Sequence, residues 1–282
     1  MSVSSATKAL PQVETPDSTP WHAFGALLLR DLAVLRKNLG EFVARTIMQP
    51  LLFVFVFTYV FPKIGQGVGG GTQGQTDFAS LLVAGVIAIA CIFQGIQAVA
   101  LPLVQEFGYS REIEDRVMAP LPVWAVAAQK LVAGAIQGLI AAAIVFPLAI
   151  FIPVAHVELA VNWVRLLTLL PLAATAGASL GLVIGTRVSP RQVPLVFGLV
   201  VIPITFLGAT YYSWEALSPI PWLKDFVLLN PLVYMSEAMR ASLLDPGHVS
   251  TMPMWAIYGG LLGFIALLGG LGIQGFKKRV LS

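Results

Sequence analysis

The residues able to do chemistry in this chain of 282 are few, and most of them flank long apolar runs. The densest set is EFGYSREIEDRVMAPLP, residues 106–122, where Glu106, Arg111, Glu112, Glu114, Asp115 and Arg116 carry charge. Elsewhere the pickings are thin. His22, His156 and His248 lie far apart and make no H-E-x-x-H or other metal-ligand spacing. The single Cys91 excludes an internal disulfide and a cysteine zinc site. No nucleophile–base constellation stands out. No Lys is followed by Ser or Thr, so a Walker A loop for nucleotide phosphates is impossible. Gly65, Gly67 and Gly70 spell G-x-G-x-x-G, but a dinucleotide loop must follow a strand and open a helix. Here the motif follows an apolar run, within KIGQGVGGGTQGQTD, and is expected to be a flexible linker. If ATP drives this protein, another chain must hydrolyse it.

The elements that position these residues belong in a bilayer. Hydrophobic residues make up 57% of the chain and charged ones 11%, against about 25% charged in a soluble domain. The mean hydropathy is +0.84. The net charge of +3 is small, and its bases fall at the ends of apolar spans, which gives no footprint for nucleic acid. Residues 1–20 are polar and read as a disordered cytoplasmic tail with no cleavable signal peptide; residues 21–282 read as one transmembrane domain. A crossing helix needs roughly 20 apolar residues. Six segments qualify: 42–61, 78–104, 123–152, 164–186, 193–212 and 254–276. With the N-terminus inside, 13 of the 17 Lys and Arg fall on the cytoplasmic side and 4 outside. The expectation is an all-α, multi-pass cell-membrane protein with both termini cytoplasmic.

Ahead of the first span, WHAFGALLLRDLAVLRKNLGEF has apolar positions at helical spacing, as in an amphipathic helix lying in the interface. Small residues recur every fourth position on the third span (Gly134, Gly138, Ala142) and the fourth (Ala173, Gly177, Gly181, Gly185). Such faces let helices approach closely, within one chain or between two copies. Lys130 intrudes on the third span about 10 Å from its start. It is long enough to snorkel to the interface, or it lines a pathway. Phe53, Phe57 and Phe61 form an aromatic stripe on the first span, either a packing or lipid-facing surface or a pathway lining. No acid is expected near mid-membrane, which argues against an ion-coupled carrier.

The charged segment between the second and third spans has helical order of its own. Tyr109, Ile113 and Val117 make an apolar stripe, and Glu112 and Arg116 form an i,i+4 pair in the favourable order. Ser110 can cap the start, and Pro120 and Pro122 stop the helix. A capped amphipathic helix in an inner loop is suited to being held by a partner.

Two stretches resemble the ABC-2 type exporter permeases. Glu106, Gly108, Ser110, Glu112 and Pro120 match the E-x-x-G-[ST]-x-[ED] … P segment between that family's second and third spans. Asn230, Pro231, Tyr234, Glu237 and Arg240, in LNPLVYMSEAMRASLL, are similar to the N-P-x-x-[YH]-x-x-E-x-x-R segment before its last span. With the leading interfacial helix, the resemblance covers residues 21–279. It implies a permease that pairs with a second copy or a paralogue and docks on separate ATP-binding cassette subunits. ATP and Mg would be held by those subunits, and this chain would bind no cofactor. The 108–120 helix would be the coupling element, and the chain would not itself be an enzyme. The stretch 214–245 would form short helices re-entering the outer leaflet, or else an outer cap, with Glu237 and Arg240 paired three apart on one face. The resemblance points to outward movement of an amphiphilic drug or lipid, with a glycan as the alternative cargo.

Overall fold

The structure, a computed structural model, describes residues 20–67, 71–110, 121–153, 157–245, 247 and 249–281. Among these residues there is no strand, and five helices are long and apolar enough to cross a membrane. The first helix, α1 (Pro20–Lys37), is too polar for that and ends on Arg36 and Lys37, which oppose the negative end of its dipole. Asn38 leaves helical geometry (φ −106°, ψ 25°) and separates α1 from α2 (Leu39–Lys63). A π-helical stretch, Phe55–Val60, interrupts α2, and the Thr58 hydroxyl donates to the Val54 carbonyl there at 2.6 Å. Then come α3 (Gly71–Gln105), α4 (Val123–Phe151) and α5 (Trp163–Arg187). A shorter apolar helix, α6 (Pro190–Phe206), precedes three short helical turns. The chain closes with α7 (Pro231–Leu243) and α8 (Met254–Leu281).

The centre of the bundle is α3. Of its most apolar window, 89% is buried inside the chain, against 22% for α2 and for α8. Close approach makes this possible. A Cβ on Gly177 would lie 3.0 Å from Ile92 Cα, and one on Gly181 would lie 2.9 Å from the Gly95 carbonyl. Gly134 and Gly138 on α4 are filled in the same way by Val99 and Cys91 of α3. Both small-residue faces read from the sequence therefore pack inside the chain, onto one helix. In lipid, where burying apolar side chains gains nothing, this backbone-level contact is what holds helices together.

Three elements differ from expectation. The stretch expected at 193–212 is helical only to Phe206 and reaches just 17 residues from Pro190. Pro194 and Pro203 lie within it, a π-helical stretch spans Phe197–Val201, and the chain then turns through Ala209 at φ 50°. The glycine-rich segment is not all linker, because α3 begins at Gly71, where Gln73 donates to Asp77 across one turn at 3.1 Å. Lys130 does not snorkel to interfacial water: it is 3% exposed and ends on carboxylates. The third span runs unbroken through Pro147, about 43 Å at 1.5 Å per residue, longer than a hydrocarbon core of roughly 30 Å.

Candidate functional site

Two buried polar clusters stand at opposite ends of the bundle. The first lies where α3 runs into the charged segment. Its last turn is π-helical, Glu106–Ser110, and three successive residues there are each taken up by a different helix. Glu106, 5% exposed, accepts from Lys130 Nζ of α4 at 2.9 Å. Phe107 packs edge-on against Phe276 of α8, with the Arg279 guanidinium 4.7 Å from its ring centre. Gly108 lies against Pro190 at the start of α6, and a Cβ at this position would run into the proline ring. Lys130 extends the cluster to α1: its ammonium is 3.4 Å from Asp31, whose carboxylate also accepts from the Gln129 side chain at 3.0 Å. Arg279 reaches the closing carbonyls of α5, Thr186 and Val188, each at 3.2 Å. The end of α3 is thus the junction of five other helices. Ion pairs removed from water are stabilising only with such geometry and extra hydrogen bonds, and truncating one partner strands the other.

Beside this junction a crevice of 530 Å³ opens between α1, α2, α3 and α4. Among the described residues that line it are Arg30, Arg45 and Lys130 and, of opposite charge, Asp31, Glu41 and Glu106. Amides line it as well, Asn38, Gln97, Gln105 and Gln137. Behind them Thr46 of α2 donates to Gln94 of α3 at 3.2 Å, and Gln94 donates to Gln137 of α4 at 3.4 Å.

The second cluster belongs to α7. Asn230 caps this helix, accepting from the Leu232 N–H at 2.9 Å while its amide donates to the Ile204 carbonyl of α6 at 2.7 Å. Pro231 takes the first helical position, where a missing N–H costs nothing. The Tyr234 ring fills the notch left by Gly260 of α8 and meets Phe264, ring centres 5.7 Å apart. Glu237 and Arg240 are both fully buried and pair at 2.7 Å. The other Glu237 contacts are backbone N–H groups, those of Trp214 and Met252, each at 2.9 Å. Arg240 Nη2 donates to the carbonyls of Ala209 and Thr210. One ion pair therefore fixes the turn after α6, the start of the short turns and the approach to α8. It also holds Ala209 in a left-handed conformation that disfavours residues with a Cβ by about 1–2 kcal/mol.

The aromatic stripe on α2 packs inward. Phe53 and Phe57 stack with centres 6.2 Å apart, and both meet Tyr211, at 5.5 and 6.0 Å. Of the expected coupling residues, the structure places Glu106 and Gly108 at the junction. The side chains of Tyr109 and Ser110, and all of Arg111, Glu112, Ile113, Glu114, Asp115, Arg116, Val117 and Pro120, lie outside the described residues. Asp31, Gln129, the Thr46–Gln94–Gln137 chain and Tyr211 were not legible in the sequence as partners. Asp31 and Gln129 are 98 positions apart, and nothing in spacing couples two residues on different helices. Among the described residues no group of three or more His, Cys, Asp or Glu could hold a metal ion.

Five helices of this length and apolarity make a multi-pass membrane protein. The chain belongs to the ABC-2 type transporter family, whose domain matches residues 22–244 and so covers the charged residues Asp31, Glu106, Lys130, Glu237 and Arg240. It is similar to the inner membrane transport permease YadH of Escherichia coli strain K12, 28% identical over 191 residues, covering 67% of this chain and 70% of that one. The YadH proteins of Escherichia coli O157:H7 and of Shigella flexneri match with the same identity and coverage. The resemblance read from the two motifs is therefore confirmed at the level of the family, as an ABC-2 permease.

Proposed function

We propose that this chain is the membrane subunit of an ATP-driven exporter, moving an amphiphilic drug or lipid outward as a dimer with a second copy or a paralogue. Separate ATP-binding cassette subunits, holding ATP and Mg, dock beneath it on the 108–120 helix. Both termini are cytoplasmic, α1 lies in the inner interface, and α6 makes the sixth crossing despite its length. The buried α7 re-enters from the outer leaflet. The observation that carries this reading is the convergence at the end of α3. Glu106, Phe107 and Gly108 tie the root of the charged segment to α4, α8 and α6, and Lys130 carries the tie to α1. A force applied to residues 111–120 would reach all of these helices within a few ångströms of its entry point. The missing Walker A motif fits a subunit whose energy comes from elsewhere.

The test is reconstitution. The chain purified alone should hydrolyse no ATP above background. With its cognate ATPase subunit in inside-out vesicles, it should accumulate a labelled amphiphile only when ATP is present. Genuine ATP turnover by the pure chain, or accumulation that follows a proton gradient without ATP, would overturn the reading. Export of a glycan is the second reading, and the amide lining of the crevice is what favours it.

A further inference from the structure

We infer that the basic seam where α5 and α8 end holds a resident anionic phospholipid, a bound neighbour and not a cargo. In the orientation proposed above, its leaflet is the cytoplasmic one. Four exposed bases gather there: Arg187 in the last turn of α5, Arg191 at the start of α6, and Lys277 and Lys278 near the end of α8. Two contacts bring the helix ends together. A Cβ on Gly275 would lie 2.7 Å from the Thr186 hydroxyl and 4.0 Å from Arg187 Cγ. Arg279 donates to the carbonyls of Gly185, Thr186 and Val188 at 3.4, 3.2 and 3.2 Å. That guanidinium is taken up by the closing turn of α5. The four exposed bases have no ion pair or hydrogen bond among the described residues.

No acid in these elements offsets the charge. The sequence has no Asp or Glu from Leu159 to Trp214, nor from Met254 to Ser282. The C-terminal ends of the two helices supply only about half a negative charge each. Glu106, at the neighbouring junction, is already held by Lys130. The seam therefore calls for an anion, and its depth says which. Trp163 and Trp255 stand exposed at the starts of α5 and α8, as tryptophans do at a membrane interface. Arg187 lies about 36 Å from Trp163 along its helix, and Lys277 about 33 Å from Trp255. A hydrocarbon core of roughly 30 Å puts both bases just past its edge, at the level of the lipid phosphates. Two helices of different length agree on this depth. Before the bases, the flank of α8 is apolar and open, with only 22% of its most apolar window buried, so acyl chains have a wall to lie along. Basic clusters between membrane helices hold anionic head groups in this way, each base being worth about fivefold in affinity.

The experiment uses the full chain in nanodiscs of phosphatidylcholine with a minority of phosphatidylglycerol. No nucleotide or ATPase subunit is present and both leaflets match, so the result depends on neither transport nor orientation. The probes are phosphatidylglycerol and phosphatidylcholine, each with a diazirine on an acyl chain close to the glycerol. Phosphatidylglycerol should label the surroundings of Arg187, Arg191 and Lys277 in strong preference to phosphatidylcholine, and the preference should fade in high salt. Replacing Arg187, Arg191, Lys277 and Lys278 together by Gln should cut that labelling at least tenfold and leave phosphatidylcholine labelling unchanged. Should this variant fail to accumulate, Lys277→Gln with Lys278→Gln should still cut it about threefold. The end of α1 is the control, since Glu41 closely follows Arg36 and Lys37. An equal preference there would reduce the effect to the general attraction of bases to an anionic surface and overturn the site. No preference in the wild type would show that other acids, including Glu112, Glu114 and Asp115, occupy the bases, and would also overturn it. Retained labelling in the folded variant, with loss of the ATPase subunit on co-purification, would make the seam a protein contact instead. The exporter reading is tested by ATP-dependent accumulation, so either can fail alone.

Discussion

The two buried ion clusters sit at opposite ends of one bundle and are built in opposite ways. Glu237 and Arg240 come from a single helix, three residues apart, and nearly all their other contacts are backbone groups. Neither is exposed. Lys130, Glu106 and Asp31 come from three helices, and every contact among them is side chain to side chain, at the edge of a crevice. Backbone partners cannot move without unfolding a turn, whereas side-chain partners can exchange by rotamer changes and small shifts of a helix. The Glu237–Arg240 cluster is a clamp and the Lys130 cluster a joint.

The largest effect should come from breaking the clamp. Glu237→Ala leaves Arg240 buried with no counter-charge and frees two backbone N–H groups, a loss of about 3–5 kcal/mol. Most of the protein should fail to accumulate in the membrane, and the rest should melt well below wild type in a thermal-shift assay. Arg240→Ala should match it. A Glu237→Ala protein of normal yield and melting temperature would show that the pair is not a clamp. At the joint, Lys130→Met leaves Asp31 and Glu106 close together without the ammonium between them. We expect a smaller loss, about 1–3 kcal/mol, because the crevice gives the carboxylates access to water. The protein should accumulate, but ATPase activity of the assembled complex should respond poorly to substrate. Lys130→Arg should restore part of that response. Normal stimulation in Lys130→Met would reduce the joint to packing.

The comparison sharpens at the charged segment. Exposed ion pairs are worth about 0–1 kcal/mol, whereas a buried aliphatic anchor at an interface is worth about 2 or more. Ile113→Asp should therefore release the ATPase subunit on co-purification, while Glu112→Gln should retain it. Release by Glu112→Gln and not by Ile113→Asp would reverse the assigned roles. The smallest effect belongs to an exposed pair near the clamp. The Lys224 ammonium, hydrogen-bonded to Glu215 at 3.0 Å, holds that carboxyl below the usual carboxylate range. Its stabilisation is complete above the ordinary carboxylate value and fades as pH falls through the lowered one. Glu215→Gln should scarcely alter the melting temperature at neutral pH, and its difference from wild type should vanish in acid. A large neutral-pH loss would make the outer turns part of the clamp.

What the sequence could say depended on whether partners were close along the chain. The Glu237–Arg240 pair was legible because i and i+3 share a helix face, and the bond is there at 2.7 Å. Long apolar runs gave the spans because hydropathy is local, and the family followed from two short motifs. The partners of Lys130 were hidden, since α1 and the end of α3 meet it only in the fold. The small-residue faces showed where helices come close but not which helix they meet. The stretch from Val193 to Tyr212 was apolar enough for a crossing. Its prolines and the strained turn at Ala209, which decide its helical length, act through geometry that composition does not record.

One consequence follows from the shape of α3. Its 35 residues make a rod of about 52 Å, and the Gly95 and Ile96 backbone touches Gly177 and Gly181 roughly two-thirds of the way along it. At one end it roots the charged segment. Towards the other, Gly85 lies so close to Thr210 that a Cβ there would strike the carbonyl region that Arg240 holds. Because α3 is packed on its neighbours at several points along its length, a displacement at Glu106 would be carried to the region around Gly85 as the movement of one stiff piece.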